Sequence, residues 1–95
     1  MEGRRKFLPD VYTAARILHV LSQSPLPTAG VAAAARTSYE KALQYLTHLA
    51  QRGLVASVDG RWHLTKEGQA ALLKLEEVVK TLAGINLSDA VRKRR

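Results

Sequence analysis

Val11, Ala14, Leu18 and Leu21, with Ala15 and Ile17 beside them, recur at the spacing of one helical face behind Asp10, and aspartate is a strong N-cap. The pattern predicts a first helix over Asp10–Gln23, with Tyr12 packed at the edge of its face. Ser24-Pro25-Leu26-Pro27 ends it, because two prolines in three positions cannot continue a helix. Thr28 is placed to cap a short second helix, Ala29–Ala35, whose alanines at 32–35 allow another helix to approach closely. Arg36-Thr37-Ser38 reads as a turn, and Thr37 and Glu40 have capping-box spacing. A third helix follows from Ser38 to about Arg52 and stops at Gly53, a residue suited to the position after a helix. Tyr39, Leu43, Leu46 and Ala50 form its expected buried stripe, flanked by Ala42 and Leu49. Lys41, Gln44, His48 and Arg52 then point outward, with Tyr45 and Gln51 at the margins. That face is polar and basic, with no carboxylate at its centre.

From Leu54 the period changes to two. Leu54–Val58 and Arg61–Leu64 flank Asp59-Gly60, a strong hairpin signal. One side of this hairpin should bury Trp62. Thr65 caps a fourth helix running to about Ala83, with Gly84 as its C-cap, and Ser88 is placed to cap a last fragment. Between Ala71 and Ile85 the apolar residues fill an arc of about 160°, wider than a one-sided surface helix needs. Leu75, Val78, Leu82 and Ile85 lie within it at alternating spacings of three and four, the seam of a coiled coil. A second copy of the chain is the expected cover, and folding back onto the first helix is the alternative.

Charge adds a partner class. The 95 residues carry 15 Lys+Arg against 8 Asp+Glu, a formal +7. Met1–Pro9 holds Arg4, Arg5 and Lys6 for a net +2, and Ser88–Arg95 holds Arg92, Lys93, Arg94 and Arg95 for a net +3. Two basic ends around a nearly balanced body suit a polyanion, and nucleic acid above all. The chain has no cysteine, which excludes disulfides and cysteine zinc sites. No apolar run is long enough to span a membrane, so a cytoplasmic, nucleoid-associated protein is expected.

Three helices followed by a hairpin is the layout of a winged helix-turn-helix. Thr37-Ser38-Tyr39, Lys41, Tyr45-Leu46, Leu49, Gly53-Leu54, Trp62, Leu64-Thr65 and Gly68 resemble archaeal winged-helix DNA-binding proteins of about ten kilodaltons. The likeness extends over Asp10–Ala83 and is best over Thr37–Gly68. The chain is similar in particular to chromatin-type and small transcription-regulator members that dimerise through a long C-terminal helix. It departs from them in a shorter final helix interrupted by Gly84. The resemblance implies a mostly α fold with a hairpin wing and a dimerisation helix. Residues 1–9 would be a basic arm, 10–68 the winged domain, 69–87 the C-terminal helix and its cap, and 88–95 a basic tail.

Catalytic chemistry finds little to stand on. His19, His48 and His63 have no metal-ligand spacing, and neighbouring Glu76 and Glu77 diverge by about 100° on a helix. No enzyme activity, cofactor or metal is expected. Double-stranded DNA is the expected partner. Arg36, Thr37, Ser38, Lys41, Gln44, Tyr45 and His48 would meet the major groove, Arg61 of the wing the backbone or minor groove, and the basic ends flanking phosphates. Charge concentrated in the ends leans toward weak sequence preference. Binding of RNA through tails and wing, or of another protein, is the rival reading.

Overall fold

The structure, a computed structural model, describes residues 7–89. Helix α1 spans Val11–Gln23, α2 Thr28–Ala35 and α3 Tyr39–Gln51; strands β1 (Val55–Val58) and β2 (Arg61–Leu64) follow, then α4 (Lys66–Ala83). The mostly α winged helix read from the sequence is the observed fold. The basic residues Arg4, Arg5, Lys6, Arg92, Lys93, Arg94 and Arg95 lie outside the described residues.

Local chemistry sets each boundary. Asp10 caps α1, its carboxylate accepting from the Thr13 N–H at 3.0 Å and the Thr13 hydroxyl at 2.8 Å. Thr65 caps α4 by accepting from the Gly68 N–H at 3.0 Å while donating to the Gly53 carbonyl at 2.7 Å. One hydroxyl thus ties the end of α3 to the start of α4. Asp59 and Gly60 both take positive φ, 53° and 77°, which matches the right-handed twist of a two-residue hairpin. The register pairs Val58 with Arg61 and Val55 with Leu64.

The wing has a third member. Leu26, between Pro25 and Pro27, forms an antiparallel bridge with Trp62. The Trp62 N–H donates to the Leu26 carbonyl at 2.7 Å, and the Leu26 N–H returns a bond at 3.2 Å. Prolines tolerate these sheet-edge positions because neither needs to donate to a ladder. Thr28 does not cap α2. It is the first residue of that helix, and its hydroxyl accepts the Trp62 indole N–H at 2.9 Å. Trp62 is therefore half-buried and hydrogen-bonded, an anchor between wing and helices.

The core joins Ile17, Leu18 and Leu21 of α1, Val31 and Ala35 of α2, and Ala42, Tyr45, Leu46 and Leu49 of α3 to Val55 and Leu72. Ala35 and Ala42 are both fully buried, so small side chains let α2 and α3 pack closely. Gly68 does the same for α4. A Cβ there would collide with the Leu54 carbonyl oxygen and sit 2.7 Å from Leu64 Cδ1.

Three helix faces differ from the sequence expectation. Val11, expected in the core, is exposed on α1, because the buried side centres on Ala15, Leu18 and Leu21. On α3, Tyr39 (55% exposed) and Leu43 lie outside the core. The buried set is Ala42, Tyr45, Leu46 and Leu49, a stripe turned by about 80° at 3.6 residues per turn. On α4 the turn onto α1 takes Leu72 into the core and half-buries Leu75 and Val79, leaving Val78 (51%) and Leu82 (81%) exposed. Leu75 thus belongs to the chain's own packing more than to an outer seam. Beyond Gly84, whose φ is 72°, residues 87–89 are helical with Leu87 buried. Ser88 lies inside that turn and does not cap it.

Candidate nucleic-acid interface

The turn between α2 and α3 carries the geometry of the site. Arg36 ends α2 in the left-handed conformation, φ 59° and ψ 50°, and the Thr37 N–H donates to the Ala32 carbonyl at 3.0 Å. Ser38 then caps α3, its hydroxyl accepting the Lys41 N–H at 3.0 Å. The expected Thr37–Glu40 capping box is absent because the helix starts one residue later, with Ser38 in the capping place. Glu40 falls in the first turn, where a carboxylate favours the positive end of the helix dipole.

The turned stripe re-sorts the face of α3. Tyr45 is 3% exposed, and its hydroxyl oxygen accepts the Asp10 backbone N–H at 2.7 Å, so it is a core residue and not a groove-facing one. His48 is half-buried, meeting Phe7 edge-on with ring centroids 5.0 Å apart. Phe7 also meets Tyr45 edge-on at 5.1 Å. The Phe7 ring thus packs on the side of α3.

Opposite the buried stripe stand Glu40, Gln44, Thr47 and Gln51, all exposed. With Leu43, His48 and Phe7 they line one shallow hollow. A carboxylate sits at the centre of this face, contrary to the sequence expectation. Lys41 and Arg52 are exposed on the flank shared with His48, and Arg36 is exposed in the preceding turn. Arg61 is exposed at the tip of the wing beside Asp59. Of the expected site residues, the structure gathers Arg36, Ser38, Lys41 and Gln44 on or beside one surface, with half-buried Thr37 in the turn between them. It withdraws Tyr45 and half-withdraws His48.

Glu40, Thr47, Gln51 and Phe7 are the residues that sequence reasoning left out. The spacing of Ala42, Tyr45, Leu46 and Leu49 carries a signal for the three that lie on α3 and none for Phe7. Arg16 is another. Its Nη1 donates to the Ala35 carbonyl at 2.9 Å, placing a cation at the C-terminal end of α2, where the helix dipole favours it.

Charge on this surface is modest. Residues 7–89 hold eight Lys/Arg and seven Asp/Glu, leaving +2 in residues 1–6 and +4 in residues 90–95 of the total +7. Among the described residues no group of three or more His, Asp or Glu side chains is placed to hold a metal. No helix among them is long and apolar enough to cross a membrane.

Among solved structures, a MarR family protein from Bacillus stearothermophilus aligns with 90% of this chain and 68% of its own at TM-score 0.62 and 13% identity. Lactococcus lactis ZitR aligns with 88% of this chain and 70% of its own at TM-score 0.58 and 17% identity. At such identities the likeness is one of fold. CalO1, a methyltransferase in calicheamicin biosynthesis, aligns at TM-score 0.54 and 34% identity over 61% of this chain. The chain spans 17% of that enzyme's length. No curated protein matches. The winged helix-turn-helix family profile matches residues 11–83, from the first residue of α1 to the last of α4, and the chain belongs to the winged helix-turn-helix family.

Proposed function

We propose that this protein is a double-stranded DNA-binding transcription regulator that acts as a homodimer in the cytoplasm. The observation that carries the reading is the exposed polar face of α3, with α2 packed behind the helix and β1 of the wing in contact with it. An α-helix fits the ~12 Å major groove, and exposed amides and carboxylates suit base edges there. Arg61 meets the backbone or the minor groove, and Arg4, Arg5, Lys6, Arg92, Lys93, Arg94 and Arg95 meet flanking phosphates without reading sequence. We read no catalytic role. A chromatin-type role is less favoured, because the centre of the α3 face carries readers and a carboxylate instead of cations.

The dimer rests on the apolar groove between α1 and α4. Ala15, Leu75, Val79 and Leu87 form its floor, and Val11, Tyr12, Val78, Leu82 and Ile85 stand around it. A ridge beside a groove on one patch is self-complementary, as a two-fold interface requires. A second copy inserting Val78 and Leu82 covers both grooves at once. This keeps Val78, Leu82 and Ile85 of the coiled-coil seam and adds Val11 and Tyr12 to it.

A second reading, a protein-binding module of a larger assembly, is favoured by the same apolar groove between α1 and α4. Binding to duplex DNA, duplex RNA and single strands, each titrated against salt, separates the readings. Preference for duplex DNA with a steep salt slope supports regulation. Equal binding to RNA that survives loss of the α3 face favours RNA, and no binding to any nucleic acid favours a protein partner.

A further inference from the structure

The outward row of α3 is Glu40, Gln44, Thr47 and Gln51, one residue per turn at spacings of four, three and four. None is cationic. The cations stand to one side, with Lys41 and Arg52 on the Phe7 flank and Arg36 in the turn before the helix. That division matters because phosphate contacts position a protein whereas base contacts specify sequence. A helix that merely coats DNA gains from cations at the centre of the face it presents. Here the centre holds a carboxylate, which phosphates repel and to which a base-edge donor is the matching partner.

We infer that Glu40 and Gln44 make this protein a sequence-specific reader whose site holds a C·G pair and an A·T pair close together. This rests on the DNA-binding reading. In the major groove the cytosine N4 amino group is the donor a carboxylate accepts, and adenine offers the N6 and N7 pair that a glutamine amide bonds twice. Glu40 and Gln44 are one turn apart, about 6 Å along the axis at 1.5 Å per residue, or about two base-pair steps at 3.4 Å. Both lie in the N-terminal half of α3, the part of a recognition helix that contacts base edges. Leu43 and Thr47 line the same hollow, and a leucine or threonine side chain there suits contact with a thymine methyl. Glu40 is also a discriminator. On a site without the cytosine amino group its charge stays unpaired in the groove.

The test is selection from a randomised duplex pool with the whole protein, followed by titration of the selected site and its single-base variants. The expected result is an enriched motif with C·G and A·T pairs within about two steps. Replacing the C·G pair should weaken wild-type binding about tenfold. Glu40→Ala should erase that difference and raise affinity for unselected duplex, and Glu40→Gln should lower C·G preference without loss of helicity. Gln44→Ala should relax the A·T position alone. Both side chains are exposed, and circular dichroism of each variant is the check that it folds. Binding without an enriched motif, or a motif unchanged in Glu40→Ala and Gln44→Ala, overturns the inference and leaves the DNA reading standing. Absence of duplex binding even at low salt overturns both.

Discussion

The Tyr45 hydroxyl oxygen accepts the Asp10 backbone N–H at 2.7 Å across 35 positions of sequence. This bond fastens the residue that caps α1 to the middle of α3. It also explains why α3 is turned as it is, since Tyr45 faces inward toward α1 while Tyr39 and Leu43 face outward.

Tyr45→Phe keeps the ring and its edge contact with Phe7 but leaves the Asp10 N–H without that acceptor. We expect a loss of about 1 kcal/mol, read as a lower urea midpoint at unchanged slope. Because Tyr45 does not reach solvent, affinity for duplex DNA under native conditions should be unchanged.

Gly68→Ala tests the approach of α4 to Leu54, just before β1, and to Leu64 of β2. The added methyl meets the Leu54 carbonyl oxygen, a backbone atom that cannot swing away. Overpacking of this kind costs about 1–3 kcal/mol and more where backbone must move. Gly84→Ala is the contrast, with open space around it and only a left-handed φ of 72° to sustain, which costs about 1 kcal/mol. Denaturation of both variants should rank Gly68→Ala as much the worse.

The indole bond from Trp62 to Thr28 should behave as a coupled pair. Trp62→Phe and Thr28→Val each remove the bond, and the second substitution should add little of the bond's share once the first is made. A double-mutant cycle in urea should return a coupling of about 1 kcal/mol. Zero coupling would mean that the two groups do not bond in solution.

Val78→Glu with Leu82→Glu tests assembly without disturbing the core, since both side chains are exposed. Leu75 is a poor choice for this purpose, because it packs on the chain's own core. Sedimentation should show a wild-type dimer and a folded monomeric variant with weaker DNA binding through lost bivalency. A wild-type monomer at tens of micromolar would refute the dimer.

Deleting Arg92–Arg95 should weaken binding to every duplex alike. It should also reduce the slope of log K against log salt by about three to four. An unchanged slope would show that the tail does not reach phosphate.

Strong local signals were legible in the chain itself. Asp10, Thr65, Gly53, Asp59-Gly60 and Gly84 fixed where elements begin, turn and end, because capping and positive φ depend on a few neighbouring atoms. The order of those elements was enough for the winged helix. The face each helix buries was not legible. Tyr39-Leu43-Leu46-Ala50 and Ala42-Tyr45-Leu46-Leu49 are equally good stripes on an isolated helix, and both share Leu46. The choice fell to partners distant in sequence: the Asp10 N–H donating to the Tyr45 hydroxyl oxygen, and Ala35 lying against the α2–α3 packing. Because the site is the side of α3 that packing leaves over, a turn of about 80° replaced His48 with Glu40 at its centre. Periodicity locates a helix, and only tertiary contacts fix its rotation.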